Sequence, residues 1–287
     1  MFRRLFPHYL VWTLSLTLIL FCYSQRYAEA NTPPKAGIEV GGAALDFQTS
    51  DHRMVVNGFN DFPTTGITVS LWLKSIQIQE AGILSYAVSG THDNEFLLFN
   101  RDGLRIYIGQ EHIKTGVNFV DGRWHHLAVT WRSEDGALRL YKDGQEVFTD
   151  NFRDGYSFIP DGMLVLAEDQ DAPGYYDPNQ AYIGQLDEIR IWKRVRSQSE
   201  IRRDMYSEIR GSYPRMSGYW KMNEAEGVLV DDSSPAGNDG TLYYGTAWTL
   251  PSPVSGFKSA FSMYFHEDDV TTVTLGGFDA DGDPLRG

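Results

Sequence analysis

The chain has 287 residues, a formal net charge of −13 and 42% hydrophobic residues. That length suffices for a large buried core, and that acidity makes it a poor partner for nucleic acid or an anionic membrane. Its one cysteine, Cys22, lies in the first thirty residues, which excludes disulfide and thiol chemistry from the rest.

Residues 1–30 carry Arg3 and Arg4, an apolar run from Leu10 to Cys22, and then Ala28-Glu29-Ala30. This is the pattern of a secretory signal peptide with an A-x-A cleavage site. The alternative is a retained anchor, for which the run is short. Cleavage implies a secreted or cell-surface protein with no membrane span. A Pro- and Gly-bearing linker follows over 31–42.

From residue 43 short apolar alternations begin. ITVSLWLKS places Ile67, Val69, Leu71 and Leu73 on one face of a strand. EFLLFN, LRIYIG, HHLAVTW, LRLYKDG and MLVLA continue at a spacing of roughly ten residues, with NRDG and KDGQ as tight turns between them. A helix is predicted only in SQSEIRRDMYSEIR, where Ser197 and Glu200 form a capping-box pattern. Many strands and one short helix after the closing strand predict an all-β fold, an antiparallel β-sandwich. Its expected extent is 43–210, followed by a β-rich extension over 211–258.

The stretch LVLAEDQDAPGYYDPNQAYIG sets Asp169, Gln170 and Asp171 just after an apolar strand, with Asp177 and Gln180 close behind. By itself this reads as a solvated acidic loop, a carboxylate pair for catalysis, or a cation cage. Carboxylates this close repel, raising one another's pKa, and a cation is the simplest compensation. Calcium takes roughly six to eight oxygens from carboxylates, amides and backbone carbonyls. On an extended strand Asp169 and Asp171 share one side while Gln170 turns away and presents its carbonyl. No histidine or cysteine lies in this set, which argues against zinc or copper.

Three stretches carry a family resemblance. DGRWHHLAVTWRSEDGALRLYKDGQEV resembles the central hairpin of laminin-G-like domains of the concanavalin A-like superfamily. IGQLDEIRIWKRVRSQSEI resembles their closing strand and helix, and AALDFQTSDHRMVVN with ITVSLWLKS their opening strands. The resemblance implies a jellyroll. Within that group SYAVSGTHDNEFLLF and the acidic loop are similar to the pentraxins, whose members bind calcium. Carried over, one calcium would be held by Asp93, Asn94, Asp169, the carbonyl of Gln170, and Asp171. A second would share Asp169 and Asp171 and add Asp177 and Gln180. Ser70 and Ala128 stand where the pentraxin disulfide would be, and Asp169 and Asp177 are shorter than the glutamates usual there.

The same resemblance implies a ligand pocket at Phe99, Tyr107 and Glu111. Tyr107 would crowd a choline group, which favours a glycan or another anionic or polyhydroxy ligand over phosphocholine. Phe99 reads equally as a core strand residue. Strand tryptophans such as Trp72, Trp131 and Trp192 are expected in the core. His126 is expected as a buried, hydrogen-bonded strand histidine.

The segment 211–258 resembles the edge of a second laminin-G-like module. VTLGGFDADGDPL, within 259–287, resembles the truncated start of a cadherin-like or Ig-like repeat; its Gly282 falls too early for an EF-hand. Glycosidases of this fold need paired carboxylates about 5–5.5 Å apart, from an E-x-D-x-x-E strand that is absent here. The expected function is therefore a secreted, calcium-dependent lectin-like recognition or adhesion module, not an enzyme. Its expected partners are a glycan or anionic ligand and other extracellular proteins. The alternative is a structural adhesion domain in which calcium only orders a loop.

Overall fold

The computed structural model describes residues 43–249 except 60, 91, 102 and 210–213. The leader and linker expected over 1–42 and the repeat expected over 259–287 lie outside them.

The opening strands are β1 (Ala44–Phe47), β2 (Arg53–Phe59), β3 (Gly66–Lys74), β4 (Ala81–Val88), β5 (His92–Asn100), β6 (Leu104–Ile108) and β7 (Glu111–Lys114). The central ones are β8 (His125–Arg132), β9 (Ala137–Lys142), β10 (Gln145–Asn151) and β11 (Gly162–Leu166). A short β12 (Gln170–Ala172) and β13 (Tyr175–Tyr176), then a 3-10 turn at Pro178–Gln180, precede β14 (Gly184–Trp192) and α1 (Gln198–Asp204). The last strands are β15 (Met216–Trp220), β16 (Leu229–Val230), β17 (Gly240–Tyr243) and β18 (Ala247–Thr249).

They form two antiparallel sheets. The first runs β10-β9-β8-β3-β14-β1-β18, with β15 beside β14; the second runs β16-β17-β2-β11-β4-β5-β6-β7. The sandwich predicted from the alternating strands is therefore the observed fold. Ile67, Val69, Leu71 and Leu73 do face the core, with Trp131, Trp220, Phe96, Leu98 and Leu164 among its other members. Each such buried side chain contributes about 1.5–3 kcal/mol. Ser70 and Ala128 are direct partners across β3 and β8.

The predicted capping box is present. Ser197 accepts from the Glu200 N–H, and the Glu200 carboxylate accepts from the Ser197 N–H. Ile201 of α1 packs on Ala128 and Tyr141, on the outer side of the first sheet. In the β9–β10 turn both Asp143 and Gly144 are left-handed, with φ of 52° and 73°, as the DG dipeptide implies.

The segment read as an extension from residue 211 continues these same sheets. β15 pairs with β14, β17 with β2, and β18 with β1. Its Trp220, Val230 and Leu242 lie in the one large core. The reason is geometric, since β1 and β2 each present an edge on which β18 and β17 add. No described helix is long and apolar enough to cross a membrane.

His126 is buried, as expected, but its Nδ1 has no hydrogen-bond partner among the described residues. Burial, with Arg190 and Arg196 nearby, pushes its pKa down to about 3. The unfolded chain then takes the proton first, near its usual value. His126 should therefore cost nothing above about pH 6.5 and should lower stability progressively as pH falls toward 3. Denaturant titrations at pH 7 and pH 5 should show that loss reduced in His126→Leu. Equal pH dependence in both proteins would contradict the assignment.

Candidate cation and ligand site

The acidic loop begins where β11 ends. Ala167 takes a left-handed φ of 69°, its N–H donates to Ile83 O, and its carbonyl accepts from Tyr182 N. This turns the chain onto the outer side of the second sheet. There the Glu168–Asp169 backbone crosses directly over Gly82, where an added Cβ would lie 2.5 Å from Asp169 N and 2.6 Å from Glu168 C. A glycine at 82 is what lets the loop descend onto β4.

Beyond that crossing β12 and β13 pair as a small hairpin lying against β4 and β5. Gln170 anchors it. Its buried side-chain Nε2 donates to Ser85 O at 3.2 Å, Ser85 Oγ at 3.3 Å and Met163 O at 3.1 Å. The far end is tied by Gln77, whose Oε1 accepts from Ile183 N at 2.7 Å while its Nε2 donates to Ala181 O at 2.9 Å. Between them Asp177 caps the 3-10 turn, its Oδ1 accepting from Asn179 N at 3.0 Å, with Pro178 suited to the first turn position.

This frame brings four of the predicted acids into one electrostatic neighbourhood. Asp169 is buried, and its pKa is pushed up to about 7, first by burial and then by the charges of Asp171, Asp93 and Asp177. The Gln170 N–H, donating to Asp169 Oδ1 at 2.8 Å, opposes that rise. Asp93 and Asn94 arrive from the start of β5, where Asp93 Oδ1 accepts from Asn94 N at 3.1 Å. Asn94 Oδ1 and Gln170 Oε1 are both buried with no hydrogen-bond partner among the described residues. Buried oxygens of this kind are costly unless something donates to them or coordinates them.

Carboxylates and amide oxygens are the donor types that a hard cation takes. The described residues do not bring three acidic, histidine or cysteine side chains to metal-holding distance of one another. Gln180 sits half-buried at the end of the 3-10 turn, its N–H donating to Asp177 O at 2.8 Å.

One residue of this site escaped the sequence reading. Glu168 is 1% exposed, and neither carboxylate oxygen has a hydrogen-bond partner among the described residues. Burial pushes its pKa up to about 8; Arg53 pulls against that, while Asp169, Asp177 and Asp51 add to it. Strand alternation would have turned Glu168 away from Asp169, but no local pattern announced Arg53, more than a hundred residues earlier.

The predicted ligand pocket lies on neighbouring strands. Phe99 is 4% exposed, and its ring centroid is 6.2 Å from that of Tyr107. Tyr107 lies 4.7 Å from the His112 ring. Glu111 is exposed and paired with Arg153 at 2.6 Å.

Comparison with known proteins matches this architecture. A family model described as the concanavalin A-like lectin/glucanases superfamily matches residues 47–202. A Rattus norvegicus protein, "Sushi, von Willebrand factor type A, EGF and pentraxin domain-containing protein 1", is 34% identical over 166 residues, or 56% of this chain. Human neuronal pentraxin-2 is 34% identical over 139 residues, or 47% of this chain. The chain spans 5% of the first relative and 32% of the second. A solved Bacteroides ovatus protein to which carbohydrate binding is ascribed superposes with a TM-score of 0.55 at 15% identity, covering 72% of this chain and 59% of that one.

Proposed function

Because this chain belongs to the concanavalin A-like lectin/glucanases superfamily, and because its outer-face loop gathers acids around a buried aspartate, we propose that it is an extracellular calcium-binding recognition module. The observation that carries this is Asp169. It is a buried carboxyl raised to about 7 by burial and by the charges of Asp171, Asp93 and Asp177, and the same loop and the start of β5 carry the partnerless oxygens of Gln170 and Asn94. A freely solvated loop would not bury a carboxylate within reach of other acidic charges at such cost.

In this reading Asp93, Asn94, Asp169, the Gln170 carbonyl and Asp171 hold one calcium. Asp177 and Gln180, with the shared Asp169 and Asp171, hold a second. The protein contributes the frame: Gly82 admits the loop, and Gln170 and Gln77 pin its two ends. A bound calcium with open positions supplies direct coordination to anionic or polyhydroxy ligands, and a glycan is the favoured class. Phe99, Tyr107 and Glu111 would flank such a ligand. The lack of an E-x-D-x-x-E strand supports binding rather than glycoside hydrolysis.

Calorimetric titration of the secreted protein with calcium chloride should show one or two sites. Asp169→Ala and Asp171→Ala should abolish at least one of them. Saturation at a hundred times Kd should also raise stability by about 2.7 kcal/mol. A flat titration of the wild-type protein would overturn the reading. Glycan binding that vanishes in chelator would favour recognition through the ion. Calcium binding with no chelator-sensitive ligand would favour the second reading, an adhesion domain whose ion orders the loop.

A further inference from the structure

A second feature of the outer face is built from elements far apart in sequence. β17 pairs with β2 so that Tyr243 stands opposite Arg53. The Arg53 guanidinium lies 4.0 Å from the centroid of the Tyr176 ring, 4.8 Å from that of Tyr244 and 5.9 Å from that of Tyr243. Tyr176 comes from the β12–β13 hairpin, and its neighbour Tyr175 is 73% exposed. Tyrosines from the loop and from the last strands thus surround one arginine.

Tyr244 is the unusual member. It occupies a tight turn in which both central residues are left-handed, with φ of 58° at Tyr244 and 82° at Gly245, and Thr246 N donates to Tyr243 O at 3.3 Å. Asn, Asp or Gly ordinarily fills such a position, because a bulky side chain there strains the backbone. Burial does little to offset that strain, since Tyr244 is 66% exposed and its ring contacts among the described residues are with Arg53 and Tyr243 alone. A strained, solvent-facing aromatic beside two others points to something outside the fold.

The charges decide what kind of ligand fits. Arg53 spends one donor on Asp51 O at 3.2 Å. The Asp51, Asp169 and Asp177 carboxylates act on neighbouring Glu168, so Arg53 stands among several acids and the site favours an uncharged ligand over an anion. The guanidinium N–H groups not taken by Asp51 or Tyr176 and the hydroxyls of Tyr243 and Tyr244 suit uncharged hydroxyl oxygens, and tyrosine faces suit the C–H face of a pyranose ring.

We propose that Arg53, Tyr176, Tyr243 and Tyr244 form a binding platform for a neutral saccharide, independent of calcium. None of these residues belongs to the proposed ion ligands, so this inference and the calcium reading stand or fall separately.

The test uses the intact secreted protein in excess EDTA, titrated with neutral β-1,4-linked glucan, mannan and galactan hexamers. A polygalacturonate hexamer serves as the acidic comparison. At least one neutral hexamer should bind, and the acidic one should bind more weakly. Tyr244→Ala and Arg53→Gln should each weaken binding by about tenfold or more, the scale of one lost contact.

Tyr244→Asn separates function from folding. Asparagine relaxes the left-handed backbone, so the thermal midpoint should hold or rise while affinity falls. The proposal is overturned if no neutral hexamer binds at millimolar concentration, if binding requires calcium, if only the acidic oligomer binds, or if Tyr244→Asn binds as wild type.

Discussion

Arg190→Ala is expected to lower stability by about 3–5 kcal/mol, the cost of stripping one partner from a buried ion pair. Arg190 is 2% exposed and Glu188 1%. Their pairing depends on an irregularity in β14. Glu188 is left-handed, with a φ of 54°, and the register with β3 shifts between Asp187 and Arg190. Tyr219 of β15 donates to the same carboxylate at 2.7 Å. The Arg190 guanidinium also donates to Asp204 O and Ser207 O, each at 2.7 Å, and so holds the chain leaving α1 against the sheet.

Removing that side chain leaves a buried carboxylate with less support and two carbonyls short of donors. Urea unfolding followed by tryptophan fluorescence gives the comparison, read as a lower midpoint at unchanged slope. The double variant Glu188→Leu with Arg190→Met should recover the part of the loss due to the unpaired carboxylate, because apolar groups can replace a buried pair at little cost, while the Asp204 and Ser207 carbonyls stay short of donors. A loss below about 1 kcal/mol in Arg190→Ala would mean that Arg190 is not the anchor described.

Gly82→Ala is the second substitution with a large expected effect, and its action is local. The new Cβ would meet Asp169 N at 2.5 Å, Glu168 C at 2.6 Å and Glu168 O at 2.8 Å. All three are backbone atoms that no rotamer change can move. Overpacking of this kind costs about 1–3 kcal/mol, and the hairpin can escape it by lifting off β4. Hydrogen exchange should then show lost protection at Gln170 and Tyr182, while core amides of β3 and β8 keep theirs. If the loop holds calcium as proposed, its affinity should drop by about tenfold or more, since the ligands lose their common frame. Unchanged protection at both amides would show that the loop does not depend on this close approach.

Short-range patterns in the sequence read correctly because their causes are local. The alternation Ile67-Val69-Leu71-Leu73 needs only the pleat to face one way. The Ser197–Glu200 box closes within a single helical turn. The Asp143-Gly144 turn needs only two residues that tolerate a left-handed backbone. The acids Asp169, Asp171 and Asp177 stood out because like charges placed so close demand an explanation wherever they fold. Glu168 stood beside them without signalling its burial, which depends on β2 and β4 arriving around it.

By itself, then, the amino-acid order determined which segments are strands, where the helix starts, which face of each strand is apolar, and which acidic loop is unusual. These follow from propensities and repulsions acting over a few residues. Only the tertiary structure decided that β15 to β18 complete the two sheets, that Gly82 admits the loop, and that Arg53 meets Tyr176, Tyr243 and Tyr244. Pairing between strands nearly two hundred residues apart is chosen by which free edges and apolar faces meet in the collapsed chain. That choice belongs to the whole core and to no local window of the sequence.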